Sequence, residues 1–581
     1  MPAHLLLYLL NPIQRKIFVK KVLLVLFVVF VAGCSSSPKK EGGIQTPPAA
    51  AVASAHPLAT KAGMEMIAKG GNAFDAAVAV TAALAVVEPY SSGIGGGGFW
   101  LIHRERDSYQ TMIDGRETTP MKGHRDMYLD EKGNVIPGLS MNGPLSAGIP
   151  GVPAAMAHMA KKYGTLSMAD LLAPAIRYAK EGFEVDQHYI NLANFRKKVI
   201  AESPDAKRIF LLDGEVPPIG HVIKQPDLAV TLEAMAKNGR DGFYKGPIAR
   251  QLIRGVNSAG GIWTQEDFDK YKIVEREPIR GSYKGMKITS AAPPSSGGIA
   301  LVEIFNILAG FDFENADPVT QKHLLVEAMR RAYRDRAEYL GDTDFVKVPV
   351  AKLTSPLYAD GLRASIRTDR ATESASLPGI EPKEESFHTT HFSVLDADGN
   401  RVSATVTINY PFGSGFVPPG TGVLLNDEMD DFSAKPGVPN AYGLVGAEAN
   451  AIAPGKRPLS SMSPSFLETD KGLAIIGTPG GSRIITMVLL GALDFYKGNS
   501  PTSWVSKGRI HHQYLPDHIQ YEEGALKDKE IEALKALGHQ LKQTRWRYGN
   551  MQAILWDKKN NVVSAASDPR GVGSAETKAS K

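Results

Sequence analysis

Two short runs of alternating apolar residues flank a polar turn at residues 396–400, a pattern that indicates a β-hairpin. In an antiparallel hairpin centred on Asp398, Thr389 lies opposite Thr407. Asn409 is two residues further along, so it points to the same face as Thr407. The pattern therefore predicts three polar side chains at one end of an otherwise apolar hairpin. A threonine pair on a solvated face would have the same spacing, and the pattern alone does not distinguish the two.

The first residues of the chain predict a targeting signal. Basic residues precede an apolar run at 22–31, which is too short for a permanent transmembrane helix. The run ends in the letters VAGC at residues 31–34, and this stretch resembles a bacterial lipoprotein signal. The resemblance predicts removal of residues 1–33 and a lipid on Cys34, with residues 34–50 as a flexible tether. A plain signal peptide with an incidental cysteine is the alternative.

A lipid on Cys34 would anchor the protein in a membrane of the cell envelope, facing the periplasm. Ser35 favours the outer over the inner membrane. Cys34 is the only cysteine among 581 residues, so no intramolecular disulfide can form. The formal charge of +5 is small for this length, and Lys and Arg are not concentrated in one motif. We therefore expect no nucleic-acid partner.

Helix-forming residues recur in many segments after residue 56, with strand-like segments between them. Helices are predicted at residues 62–69, 73–87, 153–163, 168–181, 226–237, 298–309, 318–340, 482–496 and 527–537. Strands are predicted at residues 99–102, on both sides of the turn at 396–400, and around turns in 263–290. Buried helices mixed with antiparallel strands indicate a layered α+β fold rather than a repeated βαβ array.

Motifs spread over most of the chain resemble the γ-glutamyltranspeptidase family. They are GGNAFDAA at 70–77, the glycine-rich run at 91–98, DGRE at 114–117, HTTHFS at 388–393, TIN at 407–409, LNDEMDDF at 425–432, RPLSSMSP at 457–464 and TPGGSR at 478–483. The similarity extends from about residue 56 to residue 570, and the motifs follow the family's order. So many independent motifs in one order exclude a chance match.

This resemblance implies an N-terminal nucleophile hydrolase fold, a four-layer αββα sandwich made from one precursor. The precursor would cleave itself between His388 and Thr389. A large subunit, residues 51–388, and a small subunit, residues 389–581, would then form a heterodimer. Cleavage would give Thr389 a free α-amino group with a pKa of ~7.7–8.0, which places a base beside the hydroxyl nucleophile. The residues alone do not decide between Thr389 and Thr390; the resemblance selects Thr389.

The resemblance also implies the catalytic roles. Thr389 would be the nucleophile, and Thr407 would hydrogen-bond and orient its hydroxyl. The backbone N–H groups of Gly480 and Gly481 would form the oxyanion hole, at the start of a helix predicted from Ser482. Without the resemblance, a tight turn into a helix would be the simpler interpretation of the two glycines.

A γ-glutamyl donor carries an α-carboxylate and an α-ammonium, so its pocket needs groups of both signs. The resemblance assigns the carboxylate to Arg116, Ser460 and Ser461, and the ammonium to Asn409, Glu428 and Asp431. Arginine suits a bidentate carboxylate contact better than lysine does. Residues 435–443 resemble a lid found in some members of the family, and Tyr442 within them would close over the bound glutamyl group.

These expectations describe an enzyme without metal or cofactor. It would transfer the γ-glutamyl group of glutathione and other γ-glutamyl compounds to water or to an amino-acid or dipeptide acceptor. The alternatives are an acylase for glutaryl or β-lactam side chains, a hydrolase of polymeric γ-glutamate, and an uncleaved lipoprotein that only binds.

Three further motifs are rejected as cofactor or metal sites. Residues 93–98 match G-x-G-x-x-G but lie between a helix and a strand, in the reverse of the order that a dinucleotide site requires. Residues 396–407 begin like a calcium loop but lack its glycine and its final glutamate. The histidine pairs 388/391 and 511/512 have no third ligand at a recognisable spacing, which indicates structural or solvent-facing histidines.

Overall fold

The computed structural model of the protein describes residues 45–377, 389–435 and 446–579. The strands in these ranges are β1 (Ala49–Ser54), β2 (Gly97–Arg104), β3 (Tyr109–Asp114), β4 (Phe183–Glu184), β5 (Val222–Ile223), β6 (Val274–Arg276), β7 (Ile279–Tyr283), β8 (Met286–Ser290), β9 (Thr390–Leu395), β10 (Arg401–Thr407), β11 (Ser465–Glu468), β12 (Gly472–Gly477), β13 (Ile510–His511), β14 (Ile519–Tyr521), β15 (Leu541–Gln543), β16 (Gln552–Asp557), β17 (Val562–Ser567) and β18 (Ser574–Ala579).

The helices in the same ranges are α1 (Pro57–Ala68), α2 (Ala73–Val87), α3 (Val152–Lys162), α4 (Met168–Glu181), α5 (Gln187–Glu202), α6 (Pro204–Phe210), α7 (Pro226–Asn238), α8 (Asp241–Tyr244), α9 (Gly246–Ser258), α10 (Gln265–Lys270), α11 (Gly297–Ala309), α12 (Pro318–Tyr339), α13 (Val350–Leu353), α14 (Pro356–Arg363), α15 (Ile484–Tyr496), α16 (Pro501–Ser506) and α17 (Asp528–Ala536). Within the described residues, no helix is both long enough and apolar enough to span a bilayer.

Two antiparallel sheets form the centre of the unit that starts at residue 47. The seven-stranded sheet has the order β18-β1-β9-β10-β2-β3-β6, and the six-stranded sheet has the order β17-β16-β12-β11-β8-β7. The β9–β10 hairpin is central in the larger sheet, with β1 on one side and β2 on the other. Both of its faces are buried, so the polar side chains that alternate with the apolar ones, such as His391 and Ser403, make hydrogen bonds inside the protein.

The larger sheet has a helical layer on one face and the smaller sheet on the other. Successive residues of β2 show this: Trp100 and Ile102 pack with α1 to α9, whereas Phe99 and Leu101 pack with the second sheet and its helices α11, α12 and α15. The Ser403 hydroxyl donates to a carbonyl of β12 at 3.1 Å and so links the two sheets. The layers form the αββα sandwich that the resemblance implies.

The hairpin has the predicted register. Thr390 pairs with Val406, and Leu395 pairs with Arg401, so the turn is centred on Asp398. The Asp396 carboxylate closes this turn by accepting hydrogen bonds from the backbone N–H groups of residues 398 and 400. Its second oxygen accepts from the first N–H of α2 at 2.9 Å, which fixes the hairpin against the helical layer.

The predicted long helices are confirmed to within a few residues, except that α1 begins five residues earlier, at Pro57. Proline at the first helical position and the His56 side chain, which accepts from Leu58 N, account for that start. Residues 263–290 differ from the prediction because they begin with α10, which Thr264 and Asp267 cap reciprocally. The strand β1 begins at Ala49, two residues before the predicted start of the large subunit.

Candidate functional site

The predicted nucleophile and its partner lie at the open end of the hairpin. Thr389 Oγ1 is 3.2 Å from Thr407 Oγ1, and both residues are buried. The backbone N–H of Asn409 donates to Thr407 Oγ1 at 2.7 Å. β10 ends at Thr407, and Asn409 has a left-handed backbone with φ 74°, so strand alternation does not position it. Asn409 nevertheless lines the same cavity as the two threonines.

The glycine-rich run packs directly against the end of β10. A Cβ atom at Gly96 would lie 2.0 Å from the Thr407 carbonyl oxygen. A Cβ atom at Gly97 would lie 2.3 Å from a carboxylate oxygen of Glu117. Only glycine permits these approaches, so the run supports the threonine pair by close packing.

The charged residues of the predicted donor pocket contact one another directly. The Arg116 guanidinium is buried, and its Nη1 lies 2.9 Å from Glu428 Oε1. Its Nη2 donates to the Asp431 carboxylate. Further hydrogen bonds run from the guanidinium to the carbonyl oxygens of Pro458 and Leu459, both at 3.3 Å. The group predicted to bind a carboxylate is thus neutralised by two groups predicted to bind an ammonium.

Burial shifts the acidic groups around Arg116. Burial raises the pKa of the Glu428 carboxyl well above its usual range, and the Arg116 guanidinium opposes this shift. Burial also raises the pKa of Glu117 to about 8, against the same opposing charge. Both carboxyl oxygens of Glu117 lack hydrogen-bond partners within the described residues. The cluster therefore places three carboxyl groups around one arginine, and burial favours the protonated form of Glu117 and Glu428.

Ser460 and Ser461 line the same cavity, as the resemblance implies. The Ser460 hydroxyl accepts from the backbone N–H of Met462 at 3.1 Å. The Ser461 hydroxyl is buried and has no hydrogen-bond partner in the described part of the chain. An unpaired buried hydroxyl is costly, so this oxygen is available to a polar ligand.

Arg336 also lines this cavity, although no sequence motif predicted it there. It projects from α12, is buried, and donates from Nε to the Ser296 hydroxyl at 3.1 Å. Burial lowers its pKa to about 10. No carboxylate of the described residues forms an ion pair with it. The only sequence signal was an arginine on the buried side of a long helix, which is uncommon without a partner.

The two predicted oxyanion-hole glycines flank Thr389 on different sides. Gly481 lines the cavity with Arg116, and Gly480 lines a second cavity described below. Both have positive φ, at 138° and 55° for Gly480 and Gly481, which only glycine adopts readily. A 3₁₀ turn, Gly481–Arg483, leads into α15, so the helix proper begins two residues after the predicted Ser482. Neither glycine N–H has an acceptor among the described residues.

Thr389 separates two cavities of different size. The cavity around Arg116 measures about 20 Å³, close to the space for a single water. On the other side, a cleft of about 570 Å³ opens toward solvent, and its lining includes four aromatic residues and two arginines. The nucleophile is therefore reachable from the larger cleft, while the polar cavity is filled by the protein's own ion pairs.

Three predicted residues lie outside the described ranges. These are the lipid site Cys34, the cleavage-site residue His388 and the lid residue Tyr442. Their assignments remain predictions.

One histidine cluster in the described residues has metal-like spacing. His323, Glu327 and His539 each offer a ligand atom within 4.8 Å of the others. His323 Nε2 donates to a carbonyl at 2.7 Å, so its Nδ1 accepts from His539 Nε2 at 2.8 Å. Arg330 and Arg331 already bind the Glu327 carboxylate, which leaves too little negative charge for a divalent cation. We interpret the cluster as a buried hydrogen-bonded histidine pair.

Comparison with known proteins agrees with this arrangement. A family model described as "Gamma-glutamyltranspeptidase" matches residues 59–577. The glutathione hydrolase proenzyme of Escherichia coli (strain K12) is 44% identical over 532 residues, which cover 90% of each chain. The solved γ-glutamyltranspeptidase of Helicobacter pylori has a TM-score of 0.55 at 38% identity, covering 59% of this chain and 97% of that one. The cephalosporin acylase of Bacillus halodurans has a TM-score of 0.79 at 28% identity, covering 94% of this chain and 98% of that one. The chain described here belongs to the γ-glutamyltranspeptidase family.

Proposed function

We propose that this protein is a self-cleaving γ-glutamyl hydrolase and transferase that acts on glutathione and related γ-glutamyl amides. The observation that carries the proposal is the Thr389–Thr407 pair beside a cavity that contains both arginine and carboxyl groups. Family membership supports the same reaction, since a 44% identical relative is a glutathione hydrolase proenzyme.

Self-cleavage would begin with attack of Thr389 Oγ1 on the carbonyl carbon of His388. The C–N bond between the two residues breaks, the nitrogen takes up a proton, and an ester to Thr389 remains. Water hydrolyses this ester and frees the hydroxyl of Thr389, whose α-amino group was already released when the C–N bond broke. The amino group then takes the hydroxyl proton when Thr389 attacks the γ-carbonyl of a donor. The N–H groups of Gly480 and Gly481 would stabilise the oxyanion.

Donor binding would have to open the ion pairs around Arg116. The donor's α-carboxylate would take the place of Glu428 and Asp431 on the guanidinium, and its α-ammonium would then pair with the released carboxylates. After the exchange each of these charges again has a partner of opposite sign, so no buried charge is stranded. The unpaired hydroxyl of Ser461 adds a donor for the carboxylate.

The acylase alternative follows from the fold shared with a cephalosporin acylase. A glutaryl group has a carboxylate but no α-ammonium. Three carboxyl groups, Glu117, Glu428 and Asp431, surround the cavity, and a donor without an α-ammonium would offer them neither a cation nor a hydrogen-bond donor. This charge balance favours a γ-glutamyl over a glutaryl donor.

We also propose that a lipid on Cys34 anchors the enzyme at the periplasmic face of the cell envelope, in the outer rather than the inner membrane. The support is the lipoprotein-like signal in the sequence. Mass spectrometry of the membrane-extracted N-terminal peptide tests it: the mass of a diacylated Cys34 is expected, and an unmodified Cys34 in a soluble protein refutes it.

The test of the main proposal is the mass and N-terminal sequence of each chain after denaturing the purified protein. Two fragments are expected, with the smaller beginning at Thr389. Thr389→Ala should remain one chain without activity, whereas Thr390→Val, which keeps the neighbouring side-chain shape, should cleave normally. A wild-type chain that stays intact after long incubation would instead support the binding-protein alternative. Faster release of glutarate than glutamate from matched amides would support the acylase.

A further inference from the structure

The cleft beside Thr389 has aromatic walls that are held in place. Phe195 and Tyr410 are in ring contact, with centroids 5.8 Å apart, and Arg196 lies over the Tyr410 ring at 5.0 Å. On the other wall, the Tyr548 ring is covered by the Arg483 guanidinium at 4.7 Å. These contacts fix the rings before any ligand arrives, which lowers the entropy cost of binding.

Two large aromatic side chains in this cleft remain open to solvent. Phe195 and Trp546 are each 60% exposed, although both are among the residues that line the cleft. Exposed aromatic side chains beside a cleft mark binding surfaces more often than isolated ones do. The cleft also contains Gly480 and Thr389, so any group bound there lies next to the reacting bond.

Arg547 supplies the charge of this cleft. It is exposed, and no ion pair to it is present in residues 45–377, 389–435 and 446–579. The other cleft arginine, Arg570, is already engaged by Glu522 and Asp568. A ligand carboxylate at the mouth of the cleft would therefore meet Arg547 rather than Arg570.

We propose that this cleft binds the amine portion of the reaction, and that it prefers an aromatic amino acid, or a short peptide beginning with one, that has a free α-carboxylate. Phe195 and Trp546 contact the aromatic ring, and Arg547 contacts the carboxylate. The inference rests on the proposed function, since it names the substrate class of the same site.

One subsite serves both the leaving amine and the acceptor amine because the two steps are the reverse of each other. In the first step the C–N bond of the donor amide breaks, the ester to Thr389 forms, and the amine leaves with one proton. In the second step a neutral acceptor amine attacks the ester carbonyl, a new C–N bond forms, and Thr389 Oγ1 leaves and regains a proton. No oxidant or further reactant is needed.

The test uses cleaved enzyme and donors that share the γ-glutamyl group but differ in the amine: γ-glutamylphenylalanine, its C-terminal amide, and γ-glutamylmethylamide. Trp546→Ala and Phe195→Ala should each lower kcat/KM for γ-glutamylphenylalanine about fivefold, the size of one aromatic contact. They should leave γ-glutamylmethylamide unchanged. Arg547→Gln should lower kcat/KM for γ-glutamylphenylalanine about threefold but not for its amide. Transfer to phenylalanine as acceptor should fall in parallel.

Phe345→Ala is the matched control, because Phe345 is an exposed phenylalanine, 47% accessible, that lines neither cavity. An equal loss of kcat/KM for all three donors, or no loss for any of them, would overturn the inference. Trp546→Ala could instead cleave more slowly at Thr389 and show normal donor preference after cleavage. That result would mean that the cleft binds the precursor's own chain and not the amine. If wild-type enzyme turns over none of the donors, the proposed function fails before the cleft is tested.

Discussion

The hydroxyl oxygens of Thr389 and Thr407 lie 3.2 Å apart, and the backbone N–H of Asn409 donates to Thr407 Oγ1 at 2.7 Å. Because this N–H occupies a lone pair of Thr407, the Thr407 proton is best placed to point at Thr389. Thr389 Oγ1 then accepts that bond, and its own proton is directed elsewhere. After cleavage, the α-amino group on the same residue is the base that can receive it.

Thr407→Val should therefore reduce catalysis without removing the nucleophile. Valine has the shape of threonine but no hydroxyl, so the hydrogen bond to Thr389 is lost and the Asn409 N–H is left unpaired. We expect kcat to fall roughly 10- to 100-fold, from one lost hydrogen bond and one buried unpaired donor. Initial rates of glutamate release measure this fall in kcat. Thr407→Ser, which keeps the hydroxyl, should retain most of the activity; equal losses in both variants would exclude the hydrogen bond as the cause.

The position of this pair was predictable from the sequence because hairpin register follows from a short turn and a two-residue period. The alternation about Asp398 was enough to place Thr389 opposite Thr407. Asn409 was predicted to share their face by the same alternation, yet the strand ends at Thr407, and a left-handed residue turns the side chain into the cavity. Local pattern thus predicted the threonine pair but not the conformation that follows it.

Arg116→Lys should weaken donor binding more than it slows the chemical step. Lysine keeps the charge but cannot hold the donor's α-carboxylate with a planar fork, so the bidentate contact proposed for the bound donor is lost. We expect KM for γ-glutamylmethylamide to rise about tenfold or more, since breaking a buried ion pair costs about 3–5 kcal/mol and part of this falls on the bound state.

The control for Arg116 is Arg276→Lys. Arg276 is also nearly buried and pairs with Asp114 at 2.7 Å and Asp344 at 2.8 Å, but it does not line the cavity. The Arg276→Lys variant should have a lower melting temperature and an unchanged KM. An unchanged KM in Arg116→Lys would remove Arg116 from the donor pocket.

Arg336→Gln should separate donors by their α-carboxylate. Arg336 is a buried cation in the cavity without an ion-pair partner among the described residues, so the donor's carboxylate is the charge best placed to neutralise it. We expect KM for γ-glutamylmethylamide to rise about tenfold, and no change with 4-aminobutyryl methylamide, which lacks the carboxylate. Arg334→Lys, on the same helix and paired with Asp335, is the control and should alter neither KM. Equal changes for both donors would refute carboxylate recognition by Arg336.

Arg336 and the ion pairs of Arg116 could not be predicted from the sequence. The cavity combines residues from three segments: α12, the loop after β3, and the 3₁₀ turn at Glu428–Asp431. These segments are far apart along the chain, and no local period relates them. The motifs identified the residues of the site. Which carboxyl group pairs with which arginine, however, depends on how the two sheets and their helices pack.

Glu88→Gln should make stability less dependent on pH. Burial raises the pKa of the Glu88 carboxyl to about 8, from an ordinary value of 4.5. Between these two values the folded protein keeps a proton that the unfolded chain releases, so wild-type stability falls as pH rises from about 4.5 to about 8. Glutamine has no proton to release. The melting temperature of Glu88→Gln relative to wild type should therefore increase steadily across this range and level off above pH 8. Glu181→Gln, at an exposed helix end, is the matched control and should give a flat difference. A flat difference for Glu88→Gln as well would show that Glu88 is ionised in the folded protein at neutral pH.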